Sequence, residues 1–341
     1  MTPFEHMKKV DPKLTQLTAD IYQLRLPLPY ALNHVNLYLL RGAAGWTVID
    51  TGLNTPDAQA GWQMAMSQLN LTAESVQQII LTHVHPDHYG LAGWLQQQWQ
   101  HPTTGESPPI FASAREIEIA QETWHKKEGW LESLMAFWAT CGIPQPIAEK
   151  VIEATASTRR LMNPLPSHVQ PIDESQPIQL GDRQMQVIHA PGHSDGQLIF
   201  FDESDGLLLV GDHVLQKITP NVSRWPGGEA NPLGRYLNSL SSLRELPVQQ
   251  AFPGHRAILT NWQGRLSELL HHHDERIEVS AEAVTRPVTV YEASRLIFNH
   301  DNFTMHEVRF AVTETLAHLE HLLAEGRVRR SGEAVWQYER V

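Results

Sequence analysis

The chain of 341 residues reads as an α/β (α+β) protein in which two mixed sheets pack face to face between helices, an αββα sandwich. It carries an inserted helical segment and a C-terminal helical, winged-helix-like unit. Three observations lead there. Strand-like runs alternate with helical patterns through residues 18–112, a second series of short apolar runs fills 168–252, and the pattern turns helical after 262 before a closing hairpin. The expected units are therefore 18–262, with the insertion at about 113–166, and 263–341.

In chain order, apolar runs at 21–26, 34–40 and 46–50, with Gly42 and Gly45 between the last two, predict an antiparallel start. Thr55 followed by Pro56 marks a helix start, and Ala58, Trp62, Ala65, Met66 and Leu69 form the face that would cover the sheet. A short buried strand at 78–81 leads through a loop into a helix at 89–99, and 110–112 adds another strand. Residues 113–166 are helical in pattern and rich in aromatics, among them Trp124, Trp130, Phe137 and Trp138. Such a segment serves equally well as a packing elaboration or dimer contact, or as a lid over a substrate with an acyl or aromatic part. Strand patterns return at 168–172, 178–180, 185–189, 197–201 and 207–210, with hairpin turns expected at Gly181-Asp182 and Asp205-Gly206. A helix at 231–246 and a strand ending at 252 close this part. Helices at 262–284, 290–298 and 307–325 follow, then a hairpin around Ser331-Gly332.

Composition narrows the function. A formal charge of −12 argues against general affinity for nucleic acid or anionic membrane, which depends on Lys and Arg. From residue 286 onward there are seven Arg and no Lys against eight acidic residues, so the C-terminal unit reads as a packing or dimerisation domain rather than a DNA reader. A homodimer stays open on that reading. The single cysteine, Cys141, allows no intrachain disulfide, and a reducing compartment fits it. The first thirteen residues contain no apolar core of signal-peptide length, and no run approaches eighteen apolar residues. The expectation is a cytoplasmic protein acting on a small molecule, with no membrane. The run His271-His272-His273 lies in a charged helix and reads as a packing or solvated feature.

The chemistry sits in Thr82-His83-Val84-His85-Pro86-Asp87-His88, between the strand at 78–81 and the next helix. His83 and His85 are two apart, so in extended backbone they project to one side, while Asp87 and His88 open the helix and can turn toward a second point. One loop can thus serve two adjacent metals. Imidazole nitrogen with carboxylate oxygen suits zinc, and iron or manganese is also acceptable.

That string resembles the signature of the metallo-β-lactamase-fold hydrolases, which include glyoxalase II, lactonases and ribonuclease Z. The remaining motifs occur in order: Val48-Ile49-Asp50-Thr51-Gly52, Pro191-Gly192-His193, Gly211-Asp212-His213 and Pro253-Gly254-His255. The resemblance implies that His83, His85 and His193 hold one divalent metal and Asp87, His88 and His255 another, with Asp212 bridging. It also implies that Asp50 orients a ligand imidazole from outside and that Asp87 handles the proton of a metal-bridging hydroxide. The C-terminal part is similar to that of the lactamase-β-2-like branch. Thioester, ester or lactone hydrolysis is the first expectation. A metal-dependent ribonuclease or phosphodiesterase, a mononuclear iron sulfur dioxygenase and a non-catalytic metal-binding effector are the alternatives. Tyr89, Arg224, Trp225 and Tyr236, near motif ends, are candidates for substrate contact or for packing.

Overall fold

Period-two alternation in the strands builds two sheets. A computed structural model describes residues 10–126 and 128–341, so the first nine residues of the charged N-terminal stretch lie outside it. One sheet contains β1 (Lys13–Gln16), β2 (Ile21–Pro27), β3 (His34–Gly42), β4 (Gly45–Ile49), β5 (Val76–Ile80), β6 (Ile110–Ala112) and β7 (Gln170–Pro171), in that spatial order. Its pairs are antiparallel as far as β4 and parallel from there. The other contains β8 (Ile178–Leu180), β9 (Arg183–His189), β10 (Leu198–Asp202), β11 (Leu207–Gly211) and β12 (Gln250–Pro253), with only the β11–β12 pair parallel.

Alternate side chains sort into separate cores. Tyr38, Leu40, Leu198, Phe200, Leu207 and Leu209 meet between the sheets. Val35, Leu37 and Leu39 face the opposite way, against α1 (Pro56–Leu69), and Ile199, Phe201, Leu208 and Val210 face the other helical layer. Both faces of each sheet are therefore buried, and this makes the sandwich. Thr55 caps α1 by accepting from the Ala58 N–H at 3.2 Å, with Pro56 at the first turn.

The helix expected at 89–99 is two pieces, α2 (Pro86–Tyr89) and α3 (Ala92–Gln98). Tertiary bonds explain the break. The His88 carbonyl is taken by the Thr51 N–H and hydroxyl, both at 2.7 Å, and the Leu91 N–H donates instead to the Gly52 carbonyl at 2.9 Å. Two strands carry little sequence signal: β1 has one apolar residue, and β13 (Val288–Thr289) is two residues long.

The insertion forms α4 (Ala114–Ala120), a π-helical turn at Gln121–His125, α5 (Trp130–Thr140) and α6 (Gln145–Arg160). After α7 (Pro232–Ser242) come α8 (Trp262–Glu282), α9 (Val290–Ile297) and α10 (Met305–Ala324), then β14 (Val328–Ser331) and β15 (Gln337–Arg340), which make a three-stranded sheet with β13. Leu134, Trp138 and Val151 of the insertion share one core with Val290, Leu316 and Leu319. Backbone bonds reinforce it: Tyr291 N–H donates to the Cys141 carbonyl and Trp336 N–H to that of Thr140, both at 2.9 Å. The insertion is packed onto the C-terminal helices. Cys141 lies inside this core, where burial pushes its thiol up to about 12 and leaves it unreactive. No helix among the described residues is long and apolar enough to cross a membrane.

Of the run at 271–273, His271 is exposed beside Glu275, whereas His273 is buried with neither ring nitrogen bonded to protein. Burial drives His273 down to about 3, and the neighbouring His318 charge pushes the same way. Because the folded pKa lies below the unfolded value near 6.5, the unfolded chain binds the extra proton, so stability falls as pH drops from about 6.5 toward 3. His273→Leu should remove that contribution: its urea-unfolding free energy should gain on the wild type by roughly 1.4 kcal/mol per pH unit below 6. Equal slopes for the two proteins between pH 7 and 5 would refute this.

Candidate metal centre

All seven donors picked out in the sequence converge at one rim of the sandwich. Asp50 follows β4, residues 82–88 follow β5, His193 lies between β9 and β10, and Asp212 and His255 follow β11 and β12. Each comes from the end of a strand, where a rigid scaffold can hold a loop to the accuracy a metal requires. The donor atoms of His83, His85 and His193 lie within 4.8 Å of one another, and so do those of Asp87, His88, Asp212 and His255.

One carboxylate oxygen sits between the two groups. Asp212 Oδ2 is 3.1 Å from His255 Nε2, 3.4 Å from His88 Nε2 and 3.7 Å from His193 Nε2. Asp87 Oδ2 is 3.2 Å from His255 Nε2, and His85 Nδ1 is 2.9 Å from His193 Nε2. Gly254 makes the approach feasible, since a Cβ there would stand 2.3 Å from Asp212 Oδ1 and 2.7 Å from the His88 ring.

The outer ring nitrogens are held from behind. His88 Nδ1 meets Asp50 Oδ2 at 2.8 Å, His193 Nδ1 the Asn221 carbonyl at 2.8 Å, and His255 Nδ1 the His34 carbonyl at 2.7 Å. Asp50, at φ +62°, also accepts from the Thr82 N–H and hydroxyl, each at 2.8 Å, and Thr82 Oγ1 lies 3.0 Å from His83 Nδ1. A hydroxyl that donates to Asp50 is left to accept from His83, which turns the bare Nε2 inward. As a result, buried His83 Nε2, His88 Nε2 and Asp212 Oδ1 have no hydrogen-bond partner. Unpaired buried groups of metal-ligating type in both donor clusters fit divalent cations.

The charges agree. Burial holds His85 down to about 3 and keeps it neutral, as a ligand must be. Burial opposes the charge on His255 as well, but the Asp212 and Asp87 carboxylates outweigh it and raise the ring to about 10. Burial would lift Asp87, yet the charges of His88 and His255 bring it to about 2. The carboxylates thus recruit positive charge from whatever is near, which is the demand a cation meets.

Sequence reading missed Glu116. Its carboxylate is fully buried and accepts from the Val84 N–H at 2.8 Å, the Gly196 N–H at 2.9 Å and the Ser194 hydroxyl. It therefore clamps the His83–His85 segment to the loop carrying His193. Trp124 Nε1 holds the other side of Val84, donating to its carbonyl at 2.8 Å. Ser113 and Glu116 have the spacing of a capping box, and the Ser113 hydroxyl does accept from the Glu116 N–H at 3.0 Å, but the carboxylate turns away to the metal loops. Of the proposed substrate contacts, Tyr236 is buried and donates to the His213 carbonyl at 2.9 Å, and Tyr89 Oη lies 3.0 Å from His125 Nε2. Arg224 holds the carbonyls of Gly228 and Glu229, and Trp225 stacks on Phe137.

Residues 31–255 match the family described as the metallo-β-lactamase superfamily. The chain belongs to that superfamily. Residues 277–341 match the family's C-terminal domain, described as metallo-β-lactamase-like. A probable metallo-hydrolase of Bacillus subtilis is 28% identical over 318 residues, covering 90% of this chain and 93% of the relative. A metallo-β-lactamase family protein of Thermus thermophilus superposes with a TM-score of 0.84 at 33% identity, over 96% of this chain and all of that one. A β-lactamase domain protein of Burkholderia ambifaria gives 0.82 at 26% identity, over 99% and 96%. The chain is thus a metallo-hydrolase of this superfamily, and divalent metals belong to its chemistry.

Two substitutions test the support around the donors. Asp50→Asn should weaken zinc retention about 10- to 100-fold in chelator competition, with the fold intact by circular dichroism; undiminished retention would remove Asp50 from the site. Glu116→Gln would turn an N–H toward a backbone N–H, so an unfolding free energy lower by about 1–3 kcal/mol is expected, and an unchanged value would show that the clamp is dispensable.

Proposed function

We propose that this superfamily member uses two divalent ions, zinc by the nitrogen-rich donor set, to hydrolyse a thioester, ester or lactone. His83, His85 and His193 would hold one ion and Asp87, His88 and His255 the other, with Asp212 shared. The position of Asp212 Oδ2, within reach of histidines of both groups, carries the reading. Two complete donor groups also favour this over a mononuclear dioxygenase. When bound, such ions supply hydroxide near neutral pH and polarise the substrate carbonyl.

The chain's own groups do the rest. The Asp87 side chain is 20% exposed, more than that of Asp212 or His255, and is ionised at neutral pH, so it can orient the attacking water and accept its proton. Asp50, Asn221 and His34 keep the imidazoles aimed. Phe137 and Trp225, both half-buried, form an aromatic wall with ring centroids 6.5 Å apart where the insertion meets the loop after Asn221, backed by the buried Trp138; such a wall suits an acyl chain better than a phosphodiester. The acidic net charge points the same way.

The test is product formation by zinc- or manganese-loaded protein on acyl thioesters and lactones of increasing length, set against short RNA and bis-nitrophenyl phosphate. Acyl cleavage that rises with chain length is the expected result, and cleavage confined to the phosphodiesters would overturn the assignment. Asp87→Ala should lose activity about 100-fold or more; full activity with full metal content would exclude Asp87 from the chemistry.

A further inference from the structure

Helix α10 is bonded directly to the loop behind the metal centre. Asn221 Nδ2 donates to Glu314 at 2.9 Å, the Ser223 and Thr313 hydroxyls are 2.8 Å apart, and the Arg224 N–H donates to the Thr313 carbonyl at 3.1 Å. The Asn221 carbonyl is the one that holds His193. One turn earlier on the same helix face stands Arg309, whose carbonyl accepts from the Thr313 hydroxyl at 3.0 Å.

The Arg309 guanidinium lies 4.5 Å from the Phe310 ring centroid and 5.4 Å from that of Trp225, part of the aromatic wall. Tyr30 packs its ring 5.5 Å from that of His306, three positions before Arg309 on α10. Tyr30 also sits on the loop leading into β3, whose first residue, His34, offers its carbonyl to His255. Aromatic faces thus flank the guanidinium. Among the described residues no carboxylate forms an ion pair with Arg309, and its buried Nε has no acceptor. Arg183 shows the alternative, pairing with Asp20, Asp202 and Asp205. In a chain of net charge −12, a partly buried cation lacking a carboxylate has a site ready for an external one.

We propose that Arg309 anchors an anionic oxyacid group, carboxylate or phosphate, at the end of the substrate remote from the scissile bond. This inference rests on the hydrolase reading for its biological sense, but it can be tested apart from it. The substrate class becomes an acyl ester, thioester or lactone that carries a negative charge beyond its apolar part. The guanidinium, beside the rings of Trp225 and Phe310, would present its remaining N–H donors to that group as a planar fork.

The experiment is calorimetric titration of the full chain, metal-loaded and after chelation, with phenylacetate, phenyl phosphate and neutral phenylacetamide. Measuring both states separates anion held by metal from anion held by Arg309. In the chelated protein one of the two anions should bind at least tenfold more tightly than the amide, and which one it is distinguishes carboxylate from phosphate. Arg309→Met should abolish that preference, and Arg309→Lys should keep part of it. Equal binding of all three probes, or an anion preference that survives in Arg309→Met, would overturn the anchor. In the loaded enzyme, the ratio of kcat/KM for a succinyl over a butyryl thioester should fall at least tenfold in Arg309→Met. Loss of anion binding in Arg309→Met with no acyl substrate cleaved by the wild type would leave the anchor standing and remove the proposed reaction.

Discussion

The carboxylate of Asp212, 4% exposed where the two sheets meet, is the charge that the surrounding structure answers. Placed there without partners, it would cost several kcal/mol in lost hydration. Imidazoles converge on it from three further loops, and each must be aimed by a second contact or its ring would turn. That requirement explains why Asp50 adopts a left-handed backbone beside Thr82, and why the carbonyls of Asn221 and His34 face inward. It also explains Gly254, since any side chain there would displace the carboxylate. Polar satisfaction spreads outward from one buried charge.

The same logic ties the C-terminal helices to the chemistry. Glu314 steadies Asn221, and Asn221 steadies His193, so α10 reaches the candidate metal centre through two hydrogen bonds. The insertion shares a core with α9 and α10 and is pinned by backbone bonds at Thr140 and Cys141. Insertion and C-terminal helices therefore form one wall, built from segments far apart in sequence. The aromatic residues that suggested a lid are mostly spent on that wall, with Trp225 and Phe137 only half-buried.

Much of this was readable beforehand, for local reasons. Period-two apolar runs marked the central strands because both faces of each sheet are buried, and Thr55-Pro56 marked α1 because capping is a short-range bond. The weak elements were edges: β1, with a single apolar residue, and β13, at two residues, are held by their neighbours rather than by their own composition, while the run expected at 168–172 shortens to β7 and joins the edge of the first sheet. The break between α2 and α3 was also hidden. It arises because Thr51, nearly forty positions earlier, captures the carbonyl that would have continued the helix.

For the site, the order and type of the donors lie in the chain itself: His83, His85, Asp87, His88, His193, Asp212 and His255 all stand in short motifs whose residues have few other uses in that combination. The sequence alone also determined the layered architecture, because hydrophobic periodicity is a local property. Only the tertiary structure decided which atoms back those donors and what lies beside them. Glu116 looks like half of a capping box until its carboxylate meets Val84 and Gly196, and Arg309 looks like any surface arginine until the fold sets it beside Trp225 and Phe310 with no ion-paired acid among the described residues. Such roles depend on which long-range neighbour a polar group finds, and that is settled only when separate strands are brought to the same rim.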